Sequence, residues 1–269
     1  MVMRVCLPIH WARAAVLVLL GACVGAAQAA DVLRLATGEL PPYATQSRAD
    51  KGIALNIVRA AFQAEGVTVE YTFLPWGRAQ EEARIGKWDG TAYWGRRPER
   101  ERDFLLSDNV ITEQWILLHR ADAALDWTRW QDLGNRSIAA IRTYTYTPEF
   151  HALAEAGTLK VDWSPDDLAT LRKLVAGRAD IVPLDRNVAC FLLDTQFTPA
   201  QAALVRAHPR LITENFTTHL MLPRQKPESV QRLASFNRGL AKLRSSGEYR
   251  KLLEAGECKA GLAQPTLGK

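Results

Sequence analysis

Cysteine and histidine are scarce in this chain, four and five residues of 269, and each scarcity removes a class of chemistry. His10, His119, His151, His208 and His219 fall at no metal-ligand spacing, so neither a metal nor another cofactor is expected. Four cysteines are too few for a scaffold built on disulfides. Cys6 and Cys23 lie among the first thirty residues, which leaves Cys190 and Cys258. In an oxidising compartment those two can pair only if the fold brings their backbones together, and spacing leaves that open. No Ser or Cys sits in a nucleophile elbow, and no glycine loop suits a phosphate. Glu81 and Glu82 fall on what reads as an exposed helix and make no acid/base constellation. No catalytic residue is expected, and the chain does not read as an enzyme.

Long apolar runs are lacking as well. The longest, Ala14 to Gly25, follows Arg4 and Arg13 and is too short to span a bilayer comfortably. It leads to Ala27-Gln28-Ala29, an A-x-A cleavage pattern, so residues 1–30 read as a secretory signal peptide and the mature protein as periplasmic. An alternative stays open at Leu20-Gly21-Ala22-Cys23, which has the form of a lipoprotein box with Cys23 as the anchor. The leader holds two basic and no acidic residues, so the formal charge of +5 falls by two to +3. A charge that modest, with no basic face interleaved by aromatics, argues against nucleic acid as a partner. Hydrophobic residues make up 48% of the chain, enough for one large domain or two ordinary ones.

What the chain does have is alternation of strand and helix patterns. Val32 to Thr37 alternates, Ile53 to Ala61 has helical spacing ended by Gly66, and Val67 to Phe73 alternates again. Ala79 to Ile85 reads as a short helix, and Ala92-Tyr93 as part of a third strand. A compact strand at Trp115 to Leu118 precedes a second series: strands at Ile138–Ile141, Leu159–Trp163 and Ala179–Leu184, with helices between them. A strand at His219–Leu222 and a long amphipathic helix from Pro227 close the chain. The class is α/β, two βα series side by side.

Between the third strand and the next helix lies Trp88 to Ser107. Pro98 suits a first helical position, and Arg100 falls in the helix's first turn, where a bound anion would offset its conflict with the macrodipole. The alternative is that Arg96, Arg97, Arg100 and Arg102 form a solvated run laced to Glu99, Glu101 and Asp103. Ligands of open α/β sheets sit outside the carboxyl ends of strands. In the first series those ends offer Glu39 and Tyr43, then Trp76, then Trp94, Gly95 and Arg100. In the second they offer Arg142, Thr143, Tyr144 and Thr145, then Asp185. One cation, one acid, hydroxyls and aromatics complement a zwitterion, with Arg100 on its carboxylate and Asp185 on its ammonium. Plainer roles remain open: Asp185 as a helix N-cap, the two tryptophans and Tyr43 as packing, the threonines bonded to their own backbone.

Several motifs together resemble one family. They are T-G-E-L-P-P-Y (Thr37 to Tyr43), W-x(9)-G-K-x-D (Trp76 to Asp89), P-E-R followed by F-x-x-S-D (Pro98 to Asp108), G-R-A-D-x(4)-D (Gly177 to Asp185), F-N-x-x-L (Phe236 to Leu240) and S-G-E-Y (Ser246 to Tyr249). In order and spacing they resemble the periplasmic solute-binding proteins of polar-amino-acid ABC importers, as a divergent member, over residues 31–257. The resemblance implies a two-lobed periplasmic-binding-protein fold, each lobe a mixed sheet flanked by helices, joined by two hinge strands. It implies a first lobe of residues 31–118 and 216–259, a second of 119–215, and a tail from 260 to 269. It puts the family's carboxylate-gripping arginine on Arg100 and its ammonium-binding acid on Asp185. It also implies a monomer that hands an amino-acid-like solute to an ABC transporter permease. Tyr93, Trp94, Gly95 and Arg97 stand where the family places small hydroxyl residues, and Arg142-Thr143-Tyr144-Thr145 replaces its usual Gly-Thr turn, so the walls are bulkier and more basic. A cyclohexadienyl dehydratase-like enzyme resembles the same family and is the rival, with Glu39 as its acid. A sensory input module is a third reading, less expected because no apolar span follows.

Overall fold

The computed structural model describes Met1 and residues 32–142, 144–254 and 262. The expected leader, Thr143, Cys258 and nearly all of the expected tail lie outside the described residues. Nine strands form a sheet in the order β2-β1-β3-β9-β5-β8-β6-β7, with β4 on β9. β1 (Val32–Thr37) lies between β2 (Thr68–Phe73) and β3 (Gly90–Gly95), parallel to both. The matching second set is β6 (Ser137–Ile141), parallel to β7 (Lys160–Ser164) and β8 (Ile181–Asp185). Parallel pairing follows from the helices that separate successive strands, since a parallel neighbour needs a crossover.

Two long antiparallel strands join the sets. β5 (Ile111–Arg120) pairs with β8 along Trp115–His119, and β9 (Val205–Pro223) pairs with β5, β3 and the short β4 (Phe104–Leu106). The β5–β9 register slips between Glu113 and Trp115, again between Trp115 and Ile116, and again before Leu118. The strand expected at His219–Leu222 is therefore only the last part of a strand of 19 residues. Its first part carries Arg206, His208, Pro209 and Arg210 and is largely half-buried, so it shows no clean inside-outside alternation.

The helices follow their apolar stripes. α1 (Ile53–Gln63) buries Leu55, Ile57, Val58 and Phe62, and packs against α8 (Ser229–Ser246), where Phe62 meets Phe236 at 5.2 Å between ring centres. Gly239 permits that approach, because a Cβ there would lie 1.9 Å from the Ala61 carbonyl oxygen. The acid of the G-K-x-D motif serves the fold. Asp89 accepts from the Arg34 backbone N–H at 2.8 Å and holds Lys226 and Arg232 at 2.9 and 3.0 Å, tying β1 and β3 to the start of α8. One apolar cluster runs from Leu33, Leu35 and Phe62 through to Leu118, Leu174 and Val188, and a second gathers Leu117, Trp130, Phe150 and Ile138. Among the described residues no helix is long and apolar enough to cross a membrane, and no group of His, Cys, Asp or Glu could hold a metal ion. Cys190 is disulfide-bonded, and Cys258 lies outside the described residues.

Candidate functional site

A cavity of about 430 Å³ opens where the two strand sets meet, well within the range of small-molecule sites. Trp76, Gly77 and Gln80 reach it from α2 (Trp76–Arg84), a helix that begins three residues before the expected start because Pro75 serves as its N-cap. The indole of Trp76 lies across Gly38, where a Cβ would sit 2.2 Å from the ring. Tyr93, Trp94 and Gly95 come from the end of β3. There the ladder with β9 is irregular and Tyr93 takes φ 68°, a left-handed conformation that costs a non-glycine residue about 1–3 kcal/mol. Trp76 and Trp94 meet edge to face at 5.1 Å.

Arg100 reaches the cavity from α3 (Pro98–Asp103). Its Nη1 donates to the Gly95 carbonyl at 2.5 Å, its Nε to Gln80 Oε1 at 3.3 Å, and its guanidinium lies 4.7 Å from the Trp94 ring centre. Among the described residues it forms no ion pair, although Arg96 close by is bridged to Glu101 at 2.7 Å. The solvated-run reading thus fits Arg96 and not Arg100. Burial and then the charge of Arg97 pull the Arg100 pKa down to about 10, which leaves it charged at neutral pH.

The cavity is also lined by Glu113 and Trp115 of β5, Phe216 and Thr218 of β9, and Tyr144 and Thr145 after β6. Trp115 holds Tyr144 edge-on at 5.9 Å and Phe216 at 5.2 Å. The Tyr144 hydroxyl donates to Asp167 Oδ2 at 2.6 Å, so this tyrosine offers the cavity its ring. Glu113 is 4% exposed and accepts from the Tyr93 hydroxyl at 2.6 Å and from Trp115 Nε1 at 2.7 Å. Burial, reinforced by the nearby Asp185 carboxyl, raises its pKa well above the usual carboxylate range.

Of the ten residues expected at the site, Trp76, Trp94, Gly95, Arg100, Tyr144 and Thr145 line this one cavity, and Thr143 lies outside the described residues. Three lie elsewhere. Glu39 is exposed and accepts from the Gln46 backbone N–H at 3.0 Å. Tyr43 is buried against Tyr93, ring centres 5.1 Å apart, and donates to Asp185 Oδ1 at 3.0 Å. Asp185, 2% exposed, caps α6 (Arg186–Gln196): its Oδ1 also accepts from the N–H groups of Asn187 and Val188, and its Oδ2 from that of Gln114. The plain helix-cap role describes its contacts, because four donors fill a carboxylate that does not border the cavity. Sequence reasoning missed Glu113. Its signal was the alternation Ile111-x-Glu113-x-Trp115, which turns the acid inward with two apolar neighbours.

Two sets of parallel strands flanked by helices within one sheet, two long strands shared by both sets and a cavity at their junction define a two-lobed binding protein fold. The chain belongs to the bacterial extracellular solute-binding proteins, family 3, which match residues 33–255. No curated protein matches it in sequence. Among solved structures it is similar to the GluR0 ligand-binding core from Nostoc punctiforme in complex with L-glutamate, at 18% identity and TM-score 0.65, covering 83% of this chain and 98% of that one. An ancestral arginine-binding protein bound to arginine matches at 18% identity and TM-score 0.67, covering 84% and 97%. A histidine kinase sensor domain with similarity to periplasmic binding proteins matches at 19% and 0.66, covering 85% and 96%.

Proposed function

We propose that the protein is an extracytoplasmic solute-binding protein that captures a small carboxylate-bearing solute between its lobes and passes it to a membrane partner of the ABC-transporter type. The observation that carries this reading is Arg100, a half-buried cation on the cavity wall with no ion pair among the described residues. An anion that accepts its remaining N–H groups would supply the missing countercharge, and a ligand touching both walls would favour the closed arrangement. The proposed lobe boundaries fall inside β5 at 118/119 and inside β9 at 215/216, the two strands shared by both sets. Arg100→Ala should weaken binding of the captured solute at least a hundredfold, by about 3 kcal/mol or more. Titration calorimetry with amino acids and organic acids checks this, and unchanged affinity in the variant would remove Arg100 from the site.

A second reading, an acid catalyst on the same scaffold, gains from one observation: a carboxyl with a raised pKa borders the cavity, and it is Glu113 rather than Glu39. Incubation with prephenate or arogenate, followed by absorbance of an aromatic product, distinguishes turnover from simple capture.

A further inference from the structure

An amino acid held in a cleft needs two opposite charges from the protein, and this cavity supplies one. Arg100 is the cation. Asp185, the acid expected to meet an ammonium, does not border the cavity, and its two oxygens already take four donors, one of them the Tyr43 hydroxyl. That tyrosine is itself buried and stacked on Tyr93, ring centres 5.1 Å apart. Glu113 does border the cavity, yet each of its oxygens already accepts a short hydrogen bond, from Tyr93 and from Trp115. Its burial favours the neutral carboxyl, and a neutral carboxyl gives an ammonium no countercharge. The remaining surface is mostly flat and apolar, built from the rings of Trp76, Trp94, Trp115, Tyr144 and Phe216. A cavity of about 150 Å³ suffices for benzene, so about 430 Å³ has room for a one- or two-ring skeleton with a short acidic arm.

We propose, building on the solute-binding reading above, that the site is selective for a ring-bearing monocarboxylate without an ammonium group, its acid on Arg100 and its ring between the aromatic side chains. A buried ammonium left without an acidic partner keeps its desolvation cost, so the amino acid binds less well than its desamino analogue. Tryptophan and phenylalanine fit the same space as indole-3-propionate and 3-phenylpropionate, which makes the comparison one of charge alone.

The test is calorimetry on the purified protein and on Arg100→Gln with two matched sets: indole-3-propionate, tryptophan and tryptamine; 3-phenylpropionate, phenylalanine and phenethylamine. The expected result is at least tenfold tighter binding of each desamino acid than of its amino acid, no detectable binding of either amine, and loss of at least a hundredfold for the acids in Arg100→Gln. If tryptophan or phenylalanine binds as tightly as its desamino partner or tighter, and the variant loses it, the solute-binding site stands and the proposed selectivity is overturned. If no member binds, the proposed selectivity is overturned while the solute-binding reading is still decided by the wider panel of amino acids and organic acids; if binding ignores the Arg100 substitution, both readings fall. The matched comparison needs only the unmodified protein, so it survives a variant that does not fold.

Discussion

Arg100 differs from its neighbours by its company. Arg96, five residues from Glu101, spends its charge on a surface pair, whereas Arg100 lies on an indole face and bonds a carbonyl and an amide oxygen. Glu113 lines the same cavity, and around that carboxyl stand Tyr93 from β3, Trp115 from its own strand, Asp185 from β8 and Asp167 from α5 (Asp167–Val175). A neutral Glu113 tolerates an anionic guest; an ionised one repels it. Affinity for a carboxylate should therefore fall as pH rises through the elevated Glu113 pKa, and Glu113→Gln should flatten that fall while leaving affinity at pH 5 within about threefold, under 1 kcal/mol. Calorimetry between pH 5 and pH 9 gives the profile. A ligand that depends on an ammonium paired to this acid would show the opposite slope.

The helices and strands were legible in the sequence wherever burial is one-sided. α1 and α8 declare themselves by apolar residues at helical spacing, and β1 by strict alternation ending in three buried residues. The shared strands were legible only in part, Trp115–Leu118 inside β5 and His219–Leu222 inside β9. The early part of β9 lies half-buried where it crosses from one set to the other, and three register slips break the period of its partner β5. Glu113 sits at the first of those slips, two residues before the strand expected from Trp115, and so was not among the expected site residues. Arg100 and the tryptophans could be named from position alone, since strand ends face the cavity. The allegiance of Asp185 could not, because a helix cap and a ligand-binding acid have the same sequence signature. Gly239 marks a place where one methyl group decides how two helices meet. Gly239→Ala would drive a Cβ into the Ala61 carbonyl and should cost about 3 kcal/mol or more, since the obstacle is rigid backbone. Chemical denaturation should report the loss, while ligand affinity below the transition stays as it was.

For the whole molecule three of the buried acids, Asp167, Glu113 and Asp185, act in one direction, whereas buried Asp89 is paired with Lys226 and Arg232 and its pKa is lowered. Asp167 is pushed up to about 7 by burial and by neighbouring Asp166 and Asp185, and the pKa values of Glu113 and Asp185 are also raised, both chiefly by burial. In the unfolded chain all three ionise near pH 4. Above that pH the folded form holds protons that the unfolded form has released, so stability falls as pH rises until the folded groups ionise too. The melting temperature should therefore decline from pH 5 to pH 8, each fully protonated group contributing about 1.4 kcal/mol per pH unit within its window. Asp167→Asn and Glu113→Gln should each make the decline shallower, as read by differential scanning calorimetry. A rise in melting temperature over that range would mean that these acids are ionised in the folded protein.

The broken ladder between β5 and β9 carries one more implication. Glu113 and Trp115, which floor the chamber, are the same residues at which the two ribbons lose step. Under the proposed capture between lobes, closure and guest selection would draw on one short piece of chain, and a substitution that reshapes the seat for a larger visitor would also reset how readily the jaws swing. Preference and pace of the proposed capture would then drift together.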